Sequence, residues 1–147
     1  MPSDRGLTPE ALDTAARTVW GEARGEPWDG KVAVAWVIRN RADNPGWWGR
    51  NVAEVCLQPF QFSCWLHNDP NRVKCIQATE VDLRECRKAV EAVFDGTEPD
   101  ITNGADHYHH KTILPRWATG EKPVAIIGDH KFYRLRDPEP AVSGKKE

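Results

Sequence analysis

A continuous apolar run long enough to cross a bilayer, about 20 residues, is missing from this 147-residue sequence. The stretch Met1 to Glu10 also holds no apolar h-region, so the chain is expected to be made without a standard secretory signal. Excess charge is absent: 20 Lys and Arg against 22 Asp and Glu leave −2. That balance argues against a protein held on nucleic acid by phosphate neutralisation. No C-x-x-C pair occurs, so the knuckles of a structural zinc site and a redox dithiol are both lacking. No H-E-x-x-H is present, and Ser63 does not sit in a nucleophile elbow, which removes the Ser-His hydrolase reading.

Ordinary fractions of hydrophobic (39%) and charged (29%) residues describe a globular chain. A chain of this size buries roughly 68–70% of its unfolded surface in one domain. Tryptophan is the outlier, with seven against two Tyr and four Phe. Such side chains stack on sugar rings or bases, and they equally fill cores; the count alone does not divide them. Cys56, Cys64, Cys75 and Cys86 allow three pairings among which sequence does not choose, and synthesis in a reducing compartment starts them as thiols.

Along the chain, Thr8-Pro9-Glu10 is a helix start, with Thr as N-cap and Pro at the first helical position. Leu12, Ala15, Ala16, Val19, Trp20 and Ala23 then recur at helical spacing until Gly25 and Pro27 end the run. Glu22 falls on the flank of that apolar face. Pro27 opens a second helix through Val32–Ile38, closed by Arg39, Asn40 and Arg41 at its negative dipole end. Asp43-Asn44-Pro45-Gly46 is turn chemistry, and Asn51 with Glu54 starts a short helix reaching Leu57. Residues 58–78 lack periodicity and read as one long loop, either functional or simply pinned by buried Phe60 and Phe62. Leu83, Cys86, Val90, Val93 and Phe94 mark a further helix, stopped by Asp95-Gly96. The C-terminal third reads as loop and short extended pieces, with Val124 to Ile127 and Lys131 to Leu135 as the strands. The expected fold is mainly α (α+β) in one compact domain over residues 1–136, followed by a polar, flexible tail over 137–147.

Three segments carry chemistry. In Trp20-Gly21-Glu22-Ala23-Arg24-Gly25-Glu26, a carboxylate half against the core suits a general acid, because partial burial disfavours its charged form. A surface charge cluster at a helix end is the plainer reading. Gln61-Phe62-Ser63 with Trp65 offers polar groups for sugar hydroxyls or acetamido groups and rings for stacking. In His107-Tyr108-His109-His110, an extended backbone puts His107 and His109 on one face as a pair of metal ligands, with His130 or His67 to complete a site. The same histidines equally suit hydrogen bonding within a core or cleft.

Taken together, WGEARGEPWDGKVAVAWVIRNRADNPGWWG, VAEVCLQPFQFSCW, NGADHYHHKTILPRWA and IGDHKFYRL resemble, in order, the SleB-type cell-wall hydrolase family over residues 12–135. The family includes spore-germination enzymes and phage endolysins. The resemblance implies a lysozyme-like fold and cleavage of peptidoglycan between N-acetylmuramic acid and N-acetylglucosamine, as a lytic transglycosylase or muramidase. It places the catalytic glutamate at Glu22 and a supporting, substrate-side role at Glu26. It places Gln61, Phe62, Ser63 and Trp65 with Gly104, Ala105, His107 and Tyr108 in the substrate cleft. The family usually writes the last segment G-A-T-H-Y; here Asp106 stands in the Thr position, and His109-His110 stand where Tyr-Asn is common.

Glu22 would protonate the glycosidic oxygen and then act as base on the muramic 6-hydroxyl or on water. Attack by the internal hydroxyl needs no second carboxylate. No cofactor and no metal ligand set is implied. The expected partner is bacterial peptidoglycan, without nucleic acid or membrane insertion, acted on by a monomer. With no export signal read, the expectation is an endolysin made in the host cytoplasm and released to the wall by a holin-type pore. Two other readings stand beside it: a zinc-dependent N-acetylmuramoyl-L-alanine amidase, and a non-catalytic glycan-binding module.

Overall fold

The computed structural model describes residues 7–58 and 61–136. Phe60 and the expected tail at 137–147 lie outside the described residues. Among the described residues five helices precede a small sheet: α1 (Pro9–Ala23), α2 (Trp28–Asp43), α3 (Val52–Leu57), α4 (Pro70–Gln77), α5 (Glu80–Phe94), then β1 (His107–His110), β2 (Ala125–Ile127) and β3 (His130–Tyr133). Single 3-10 turns lie at Ser63–Trp65 and Arg116–Ala118. This is the expected mainly α fold with a small β region in the C-terminal third. No helix among the described residues is long and apolar enough to cross a membrane.

The caps follow the sequence signals. Thr8 Oγ1 accepts from the Ala11 N–H and Asn51 Oδ1 from the Glu54 N–H, while Thr79 and Asp82 cap α5 reciprocally. At α3 the Glu54 carboxylate turns back to the Arg50 N–H (2.9 Å), not to that of Asn51. α1 has no basic residue in its last turn. Lys31, buried on α2, supplies that charge: its ammonium donates to the carbonyls of Glu26 and Arg24.

α1, α2 and α5 pack around a core of small and branched residues, among them Ala15, Val19, Val32, Ala35, Ile38, Val90 and Val93. Ala33 and Val37, on another side of α2, meet Ala105 and Phe132 in a second, smaller core under the sheet. α2 is thus apolar almost all round because it is covered by helices on one side and by strands on another. The sheet has the order β1-β3-β2, all antiparallel, with Tyr108 opposite Phe132 and His110 opposite His130. Gly128 (φ +57°) opens the two-residue turn from β2 to β3, and a side chain there would collide with the Glu26 carboxylate.

The segment 58–78 departs from the single loop expected. It holds a 3-10 turn and α4, which starts at Pro70 with the Asp69 side chain accepting from the Asn71 N–H. α4 carries no apolar stripe because Cys75 is its one buried residue, so periodicity could not reveal it. The H-Y-H-H segment forms β1.

Candidate active site

A cleft of about 750 Å³ runs between the helices and the sheet, within the usual range for ligand sites. Glu22, in the last turn of α1, lines it. Its two oxygens are held from opposite sides. Oε1 accepts from the Tyr108 hydroxyl at 2.5 Å; Oε2 accepts from the Cys64 N–H at 3.1 Å and the Ser63 hydroxyl at 3.4 Å. Tyr108 comes from β1 and Cys64 from the 3-10 turn, so the carboxylate is clamped by elements far apart in sequence. Burial and the adjacent Glu22 push the Tyr108 phenol well above its ordinary range, so it keeps its proton and acts as a donor.

Strand alternation sorts the histidines. Tyr108, His110, His130 and Phe132 share one face, where the Tyr108 ring stacks on Phe132 and stands edge-on to His130. His107 and His109 share the other, as expected for an extended segment. Both nitrogens of His109 are engaged, with the Tyr133 hydroxyl (2.9 Å) and the His110 carbonyl (2.8 Å). His107 Nδ1 bonds the Asp106 carboxylate at 2.7 Å. Among the described residues no three His, Cys, Asp or Glu side chains converge as a metal ion would need.

Of the residues singled out by sequence for catalysis or substrate binding, Glu22, Gln61, Phe62, Ser63, His107 and Tyr108 come together along the cleft, where His109, His110 and His130 join them. The other four lie elsewhere. Glu26 points at the β2–β3 turn, 3.5 Å from the Asp129 N–H. Trp65 donates to Thr18 Oγ1 at 2.8 Å and packs on the main core. Ala105 is buried in the second core, and Gly104 (φ +84°) makes the turn that leads to it. Asp106, the departure from the family pattern, is fully buried behind the cleft. It accepts from the Leu135 and Arg136 N–H groups and pairs with the Arg136 guanidinium at 2.9 Å. Burial alone would raise its carboxyl, but His107, these N–H groups and Arg136 outweigh that and hold it at about 2.

Sequence reasoning missed Arg41, Trp47, Asn71 and Trp117 on the cleft, and assigned His130 only to a metal set. Arg41 closes α2 as expected but is only 4% exposed, donating to the Asp106 carbonyl (2.7 Å) and Gln61 Oε1 (3.3 Å). Burial lowers its guanidinium to about 10, even with Tyr108 and Asp106 opposing that shift. His130 is buried with Nδ1 unpartnered among the described residues, and desolvation lowers its imidazole below the usual 6.5.

The seven tryptophans now divide. Trp28 and Trp36 donate to Glu98, Trp48 to the carbonyls of Arg41 and Asn44, and Trp65 to Thr18, so these four pin loops and helices. Trp20 lies beneath the Arg24 guanidinium at 4.3 Å. Trp47 and Trp117 are exposed in the cleft wall, both beside the His107 ring at centroid distances of 6.1 and 5.0 Å.

The family model for cell wall hydrolases matches residues 25–133, beginning three residues after Glu22. The spore cortex-lytic enzyme of Bacillus subtilis is 29% identical over 131 residues, covering 86% of this chain and 38% of that protein. That of Halalkalibacterium halodurans is 32% identical over 128 residues, covering 86% and 36%. The chain therefore spans little more than a third of the length of these relatives. Among solved structures, the catalytic domain of Bacillus cereus SleB matches with a TM-score of 0.71 at 28% identity, covering 86% of this chain and 91% of that one. The catalytic domain of the germination-specific lytic transglycosylase SleB from Bacillus anthracis matches at 0.70 and 29%, covering 86% and 96%. With the family model matched over most of its length and its fold shared with two SleB catalytic domains, the chain belongs to the cell wall hydrolase family.

Proposed function

We propose that the protein cleaves the glycan strand of peptidoglycan between N-acetylmuramic acid and N-acetylglucosamine, with Glu22 as the general acid and base. The observation that carries this reading is the clamp on Glu22 inside the cleft, by Tyr108 on one oxygen and by Cys64 and Ser63 on the other. A carboxyl held from both sides keeps its orientation while a proton leaves and returns. Glu22 gives its proton to the glycosidic oxygen as that bond breaks and positive charge spreads over the ring oxygen and anomeric carbon. It then removes the proton of the muramic 6-hydroxyl, whose oxygen closes on the anomeric carbon to give a 1,6-anhydro product; with water as the attacker, the product is a reducing end.

No second carboxylate lines the cleft among the described residues, since Glu26 faces the β2–β3 turn. This favours internal attack. Trp47 and Trp117 offer flat faces on which sugars stack. Gln61, its oxygen already occupied by Arg41, turns its amide N–H groups to acetamido carbonyls. Action at the wall agrees with the names of the relatives above, which speak of spore cortex lysis and of a lytic transglycosylase and not of phage release.

Digestion of purified peptidoglycan followed by mass spectrometry tests the reading. Anhydro-muropeptides, about 18 Da lighter than hydrolysed ones because no water is added, are expected, and the Glu22→Gln variant should yield none. Free stem peptides whose release stops with a chelator and resumes with zinc would identify an amidase instead. Wall binding that survives Glu22→Gln and vanishes with the Trp variants, with no cleavage by the wild type, would leave a glycan-binding module.

A further inference from the structure

All four cysteines are fully or almost fully buried, yet they are not equivalent. Cys56 on α3 and Cys86 on α5 have thiols that burial pushes up to about 12 and about 11, with no second thiol among the groups acting on them. Cys64 and Cys75 are a pair. They approach from the 3-10 turn and from α4 and converge on Gly21, the residue before Glu22. A Cβ built on Gly21 would collide with the Cys75 sulfur and stand 2.9 Å from the Cys64 sulfur. Gly21 has a negative φ, so the glycine serves here as room for two sulfurs and not as a turn.

We propose that Cys64 and Cys75, whose sulfurs converge on Gly21, are a disulfide site, with Cys56 and Cys86 left as thiols, and that the bond braces the turn holding Glu22. The reaction is a thiol exchange with a low-molecular-weight disulfide. The Cys75 thiolate attacks one sulfur of that reagent and expels its other half as a thiolate. The expelled thiolate takes the Cys64 proton, and the Cys64 sulfur attacks the Cys75 sulfur, releasing the second half as a thiolate. Two cysteines lose two electrons and one proton; the reagent becomes one thiol and one thiolate.

The surroundings suit this order of events. A hydrogen bond from Cys64, reinforced by the Arg24 charge, lowers the Cys75 thiol, while the same hydrogen bond and burial raise that of Cys64. α4 also admits the reagent. Cys75 is its one buried residue, and among the described residues the α1 side chains that anchor it are Arg17, donating to the Cys75, Ile76 and Ala78 carbonyls, and Arg24, donating to Asn71. A helix held so lightly opens without global unfolding. Once formed, the bond closes the 64–75 segment and ties the Cys64 N–H, which holds Glu22 Oε2, to α1 through α4.

The test is made on the full chain, equilibrated natively in glutathione buffers from reducing to oxidising, then denatured, alkylated and mapped by mass spectrometry. Under oxidising conditions Cys56 and Cys86 should be alkylated, and the peptides carrying Cys64 and Cys75 should appear joined, about 2 Da lighter than the two thiols together. The melting temperature should rise by about 5 °C on oxidation, and the Cys75→Ser variant should lose that redox dependence. Four alkylated cysteines in every buffer, or a link involving Cys56 or Cys86, would overturn the proposal. Neither measurement uses catalysis, so failure of the glycan-cleavage reading leaves this one standing, and the reverse.

Discussion

The helices bury alanine and valine: Ala15, Ala16, Val19, Val32, Val34 and Ala35 show no exposed surface. The strands and the loops beside them bury Asp106, His109, His130 and Tyr133. The first region is held by close packing of small side chains, which is insensitive to pH and tolerant of volume-conserving change. The second is held by hydrogen bonds whose strength depends on the charge of each partner. The two meet at Glu22, where a helix supplies the carboxylate and a strand supplies the phenol that orients it. One region fixes position, and the other supplies donors that a polar substrate can engage.

That division can be broken or sharpened, starting with the largest effect. Replacing Glu22 by Gln should cut turnover by about 10³–10⁴-fold with an unchanged melting temperature, measured by muropeptide release and calorimetry; a large fall in stability would make Glu22 a structural residue. Removing the Asp106 carboxylate (Asp106→Ala) should cost about 3–5 kcal/mol in urea unfolding, because His107 and the Leu135 and Arg136 N–H groups together lose their charged acceptor. Truncating Leu83, a fully buried residue of α5, to Ala should cost about 2–4 kcal/mol with no sensitivity to pH between 4 and 7.

Tyr108→Phe should lower kcat by about 10–100-fold with little change in KM, since it removes a hydrogen bond to the reacting carboxyl and leaves the ring in place. Acid should undo the strand region before the helices. Asp106 is held at about 2 in the fold, so its stabilising contribution, on the order of 2 kcal/mol, is complete above pH 4 and fades as the pH falls toward 2. The lowered imidazole of His130 adds an earlier loss that begins as the pH drops below 6.5, where the unfolded chain takes up the proton first. Fluorescence of a variant that keeps Trp47 and Trp117 and carries Phe at the other five tryptophans should therefore change at a higher pH than its far-ultraviolet circular dichroism. Coincident transitions would erase the distinction between the two regions.

Most of the helical region was legible in the sequence because its information is local. Thr8-Pro9 and Asn51 cap helices wherever they fold, and the spacing of Ala15, Val19 and Ala23 names the buried face without knowing what covers it. α4 was illegible for the opposite reason: one buried residue makes no pattern, and its sign was the Asp69-Pro70 start. At the cleft, Glu22 could be placed on the flank of α1, but its partners Tyr108 and Cys64 lie 86 and 42 residues away, and no spacing rule reaches them. Arg41 read as the cation closing a helix and is also a wall of the cleft. Trp65 and Ala105 sit inside motifs that hold cleft residues, yet they pack inward, because neighbours in a strand or a tight turn face opposite ways.

The glutamate leaves the ribosome 86 residues ahead of its phenolic partner. A nascent chain stalled between the two carries the acid without the group that aims it.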